Sequence, residues 1–134
     1  MKGVVLLANI YQVPTDILSS EDILRLLLVR CVESAEMTPV LHTLQLTHFP
    51  SPIKNTLRGG YGISAGMILV ESHIYIHTWI ERNYVRFELS SCKSFDVEKV
   101  INVIKTIFGK EVKIDYKVVP WDNDGFVIMR TEVI

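Results

Sequence analysis

Hydrophobic and polar residues alternate over much of this chain, and twice the repeat lengthens from two residues to about three and a half. Residues 3–12 carry the apolar run Val4 to Ala8 and stop before Val13-Pro14, the pattern of a buried strand. Ser19-Ser20-Glu21-Asp22 then offers a hydroxyl cap and two acids placed to suit a helix dipole. Ile23, Leu24, Leu27, Leu28, Cys31, Val32 and Ala35 follow at helical spacing, predicting a helix with a broad buried face and Cys31 on it as a small hydrophobe. Pro39 to Phe49 alternates again and reads as a second strand, ahead of a loop bracketed by Pro50, Pro52, Gly59, Gly60 and Gly62. Ile63 to Glu71 and Ser72 to Trp79 predict two strands broken at the Glu71-Ser72 junction. After a turn at Glu81-Arg82-Asn83, Tyr84 to Ser91 predicts another, with Val85, Phe87 and Leu89 opposite Arg86, Glu88 and Ser90. Ser94 is the expected cap of a second helix carrying Val97, Val100, Ile101, Ile104, Ile107 and Phe108, which Gly109 ends. Glu111 to Val119 and Phe126 to Val133 read as closing strands around a turn from Trp121 to Gly125.

Many strands with only two helices predict an α+β fold, a two-layer sandwich in which both helices cover one face of a mostly antiparallel sheet. Alternation places His73, Tyr75, His77 and Trp79 on the other face, joined by Glu88 and, at a strand end, by Cys92. Two imidazoles and two aromatics are poorly suited to open water, so these sheet faces are expected to pair in a homodimer.

Composition narrows the choice of partners. A chain of 134 residues suits a single domain, 1–134, able to bury a real core. Its net charge of −1, with acids and bases interspersed, argues against nucleic acid and anionic membranes as partners. Cys31 and Cys92 lie far apart and read as reduced thiols, which implies a cytoplasmic location. No apolar run approaches the roughly 20 residues that span a bilayer. The short one near the N-terminus reads as a strand rather than a leader.

Ser72, His77 and Cys92 are expected to converge on one region, and their chemistry is open at this level. A serine hydrolase would need an elbow of the Gly-x-Ser-x-Gly kind, which is absent, and parity sets Ser72 and His77 on opposite strand faces. Cys92 and His77 can share a face as a nucleophile and its base, without an evident third group. His73, His77 and Cys92 offer metal donors but no paired metal-ligand spacing, so no metal is expected. His42 and His48 read as surface histidines.

A more specific pattern runs through the same stretch. Glu71-Ser72-His73, Ile76-His77-Thr78-Trp79, Glu81, Tyr84 and the Ser91-Cys92 pair make residues 61–92 resemble the small prokaryotic form of S-adenosylmethionine decarboxylase. The resemblance implies an enzyme of polyamine (spermidine) biosynthesis that is made as a zymogen. The Ser72 hydroxyl would attack the Glu71 carbonyl, and elimination would then cut the chain into 1–71 and 72–134 and leave a pyruvoyl group at residue 72. A strained junction would favour that attack. By the same resemblance His77 removes the proton that drives elimination, Ser64 assists it, and Cys92 is the proton donor in catalysis. The pyruvoyl carbonyl would form a Schiff base with the small-molecule substrate, and Glu81 would grip ribose hydroxyls. In the family the sites lie between the sheets of two subunits. The chain departs from the family pattern at Val5, Asn9, Ile80, Arg86, Ser90 and Lys93. The alternatives are a pyruvoyl decarboxylase of another amino acid such as arginine, or a relative that does not process itself and serves as a binding protein.

Overall fold

The structure is a computed structural model that describes residues 2–50 and 60–126. Strand β1 (Lys2–Tyr11) leads through a short helix α1 (Thr15–Leu18) into helix α2 (Glu21–Ser34). Strands β2 (Gln45–Phe49), β3 (Gly62–Leu69), β4 (Ser72–Trp79) and β5 (Tyr84–Ser91) follow, then helix α3 (Val97–Phe108) and strands β6 (Lys113–Asp122) and β7 (Gly125–Phe126). The strands form one sheet in the order β2-β3-β4-β5-β1-β6-β7, antiparallel at every described pairing.

The apolar period explains the layers. Leu6, Ala8 and Ile10 of β1, Ile74 and Ile76 of β4, and Val85, Phe87 and Leu89 of β5 point into the core. There they meet the stripe Leu24, Leu27, Leu28, Cys31 and Val32 of α2 and Val100, Ile101, Ile104 and Phe108 of α3. Cys31 is fully buried, and burial raises its thiol far above the usual cysteine range, which keeps it inert. Residues one position out of phase form the opposite sheet face, where Ile68 and Tyr75 are half exposed.

Three expectations change. The strand predicted from Pro39 survives only from Gln45, because the Thr43 hydroxyl donates to the Val40 carbonyl at 2.7 Å and closes a tight helical turn over Leu41–Thr43. That same hydroxyl accepts the Ile68 amide at 2.8 Å, so the turn satisfies β3 in place of a strand. The second long helix is capped by Asp96, which accepts the Lys99 amide, and not by Ser94, which lies outside it. Ser20 caps α2 as expected, accepting from Ile23. The turn expected from Trp121 to Gly125 narrows to Asn123-Asp124 between β6 and β7. Most of the predicted Pro50–Gly62 loop, and the closing strand beyond Phe126, lie outside the described residues.

Candidate active site

The Glu71-Ser72 junction is a hairpin end. Leu69 and Ser72 pair across it, leaving Val70 and Glu71 as the connection, with Val70 70% exposed. Glu71 is held from both sides: its carboxylate accepts the Thr38 amide at 2.8 Å and the Thr38 hydroxyl at 3.1 Å, and its carbonyl oxygen accepts the Cys92 amide at 2.9 Å. Burial alone would raise the Glu71 pKa, but the two Thr38 bonds, with help from Lys93, hold it below the usual carboxylate value. The strain expected at this bond is not visible as a left-handed backbone, since the non-glycine residues at positive φ among those described are Gln12, Glu36 and Asn83.

Around the junction, Ser72 Oγ lies 3.2 Å from His73 Nδ1, and His73 Nε2 lies 2.6 Å from a Glu88 carboxylate oxygen. Ser72 pairs with Ser91, so Cys92 stands beside the junction just beyond the end of β5, exposed. The Lys93 ammonium donates to the Glu36 carbonyl at 2.7 Å and ties this segment to the end of α2.

A second cluster occupies the other end of β4. Ser64 and His77 are direct partners across β3 and β4, with Ser64 Oγ 2.6 Å from His77 Nδ1. The His77 ring stacks on Phe49 at 4.3 Å between centroids and leans on Trp79, which in turn stacks on Tyr84. Burial lowers the His77 pKa below its usual value, so the ring is neutral at pH 7 and can accept a proton. Glu81 follows in a short turn, its carboxylate accepting the Tyr61 amide and lying across Gly60, where a Cβ would collide with it. Tyr84 donates to Asn9 at 2.6 Å, and Arg86 stands opposite His77, exposed. An open groove of about 760 Å³ crosses this face over Thr47, Ser64, Gly66, Tyr75, His77 and Arg86.

Sequence reasoning put Ser72, His77 and Cys92 in one place, and the structure divides them. Five residues of strand at about 3.3 Å each set His77 roughly 16 Å from Ser72 along β4, on the opposite face. Ser72 and Cys92 form one cluster; Ser64, His77 and Glu81 form the other. The contacts of His73 with Glu88, of Thr38 with Glu71 and of Phe49 with His77 were missed, because they depend on strand register and chain path. His48 is a surface histidine, 2.9 Å from Glu21, and His42 is exposed at the groove. Among the described residues no three potential ligands are grouped to hold a metal ion, and no helix is long and apolar enough to cross a membrane.

A family model described as S-adenosylmethionine decarboxylase matches residues 4–119. The arginine decarboxylase proenzyme of Aeropyrum pernix is 32% identical over 84 residues, 63% of this chain and 57% of that protein's length. The S-adenosylmethionine decarboxylase proenzyme of Acidithiobacillus ferrooxidans is 31% identical over 105 residues, 78% of this chain and 71% of that protein. The crystal structure of the adenosylmethionine decarboxylase from Aquifex aeolicus VF5 matches with a TM-score of 0.65 and 26% identity over 87% of each chain. With the α+β fold, the hairpin junction and this match over most of its length, the chain belongs to the S-adenosylmethionine decarboxylase family.

Proposed function

We propose that the chain is a zymogen that cuts itself between Glu71 and Ser72 and then decarboxylates S-adenosylmethionine in polyamine synthesis in the cytoplasm. The observation that carries the reading is the hold on Glu71: its carbonyl receives the Cys92 amide at 2.9 Å, beside the Ser72 hydroxyl that would attack it. That amide is placed to steady the negative charge which develops on the oxygen during attack. The junction therefore fits a pyruvoyl group formed from residue 72, whose carbonyl supplies an electron sink for the departing carboxylate. The Cys92 side chain, next to that position and exposed, is the proton donor to the substrate carbon.

Two features support completion of the site by a second copy of the chain. His77 on β4 and Ser64 on β3 lie too far from Ser72 to reach it within their own chain, and the sheet face that carries His73, His77 and Glu88 is uncovered, with Tyr75 and Ile68 half exposed. A two-fold pairing of these faces would bring the His77 end of one protomer over the Ser72 end of its partner. His77, neutral and held by Ser64, would then take the proton whose loss drives chain cleavage.

Substrate choice rests on the second cluster. The rings of Phe49, His77 and Trp79 offer stacking surface for a purine, and Glu81 offers a carboxylate for ribose hydroxyls. The guanidinium of an arginine substrate can also pair with a carboxylate and stack on aromatic rings, and with the similarity to an arginine decarboxylase proenzyme this makes that amino acid the comparison of choice. Carbon dioxide release from carboxyl-labelled S-adenosylmethionine against labelled arginine tests the reading. Faster release from S-adenosylmethionine is expected, and release from arginine alone would contradict it.

A further inference from the structure

We propose that Ser72, His73 and Glu88 form a proton relay that carries out the first step of self-cleavage, the transfer of the residue 71 acyl group from nitrogen to oxygen. The proposal rests on the self-processing reading above and assigns its missing base. His73 Nε2 lies 2.6 Å from Glu88 Oε2, and a carboxylate can only accept, so Nε2 carries the ring proton. Nδ1 of the neutral ring then presents a lone pair, 3.2 Å from Ser72 Oγ, which donates to it. A hydroxyl, an imidazole of fixed tautomer and an orienting carboxylate thus stand in series, with the two ring nitrogens exchanged relative to the usual serine triad. His77 cannot fill this role within its own chain, and it already bonds Ser64 through Nδ1.

The step balances without a co-reactant. As Ser72 Oγ bonds to the Glu71 carbonyl carbon, the hydroxyl proton passes to His73 Nδ1 and the former carbonyl oxygen takes the charge against the Cys92 amide. When the Glu71 C–N bond breaks, that proton moves from Nδ1 to the Ser72 nitrogen, which becomes a free amine, and Glu71 is left esterified to Ser72. Glu88 touches no reacting atom and is a positioning residue. The pinning of the Glu71 carboxylate by Thr38 keeps the carbonyl from turning away.

The test follows freshly translated full-length chains by mass spectrometry, with and without hydroxylamine, which cleaves esters but leaves amides. His73→Gln and His73→Ala are each expected to slow cleavage about a hundredfold, the low end for loss of a general base. Neither should accumulate an ester that hydroxylamine converts to fragments, because the acyl shift that forms it becomes the slow step. His77→Ala, blocked after the shift, should yield them. Glu88→Gln should slow cleavage as well, and adding it to His73→Ala should slow that variant no further, since Glu88 acts only through His73. Melting curves identify the His73 variants that remain folded. Cleavage of a folded His73 variant at the wild-type rate, or release of its ester by hydroxylamine, would overturn the relay while leaving self-processing intact. A wild-type chain that stays whole would overturn the processing reading and the relay together.

Discussion

Ser72 and Cys92 sit side by side, yet the tasks proposed for them are separable, and single substitutions can tell them apart. Ser72→Ala removes the attacking hydroxyl and is expected to leave the chain whole. Cys92→Ala keeps the backbone amide that holds the Glu71 carbonyl, so cleavage should largely persist while carbon dioxide release falls at least about a hundredfold. A whole Cys92→Ala chain would show that the thiol itself is needed for processing. His77 gives a pH test. Its pKa is lowered by burial, so acidification protonates it only below its usual value near 6.5. Elimination from the ester, isolated by adding hydroxylamine at timed intervals, is expected to keep its rate as pH drops through 6.5 and to decline further down. A decline centred above 6.5 would contradict a desolvated neutral base.

At the scale of elements, what the sequence made legible was period, and what it concealed was register. The helical stripe from Ile23 to Ala35 and the alternation from Tyr84 to Ser91 could be read directly, since each repeats the geometry of its backbone. No local pattern places His73 diagonal to Glu88 or Ser64 opposite His77, because those pairs follow from how three strands align. The failures were also local. Thr43 turned a predicted strand into a helical turn by bonding Val40, and Asp96 displaced Ser94 as the cap two residues further on. Asp96→Ala is accordingly expected to cost about 1 kcal/mol in denaturant unfolding, and Ser94→Ala close to nothing. Phe87, fully buried beneath the sheet, should cost about 3–5 kcal/mol when replaced by Ala, read in the same unfolding experiment. Equal costs for Asp96 and Ser94 would contradict the observed cap.

Across the described residues, the sheet carries two side-chain clusters toward opposite ends of β4. Glu71, Ser72, His73 and Cys92 gather at the proposed cleavage point, whereas Ser64, His77, Phe49, Trp79 and Glu81 gather at the proposed base and nucleoside surface. The sequence pattern supplied Ser64, Glu71, Ser72, His77, Glu81 and Cys92 but not Phe49, and the extended length of β4 supplied the separation that the pattern alone could not reveal. Mixing tests whether two chains share a site: a His77→Ala chain and a Ser72→Ala chain, each uncut alone, should together yield fragments of the His77→Ala chain. Failure of a mixed dimer to cut would mean that the site lies within one protomer. More direct still is the mass of the purified, full-length chain. Self-cleavage at Glu71-Ser72 should give two species, residues 1–71 and residues 72–134 with a carbonyl in place of the terminal amine. A single species at 15.3 kDa would contradict it.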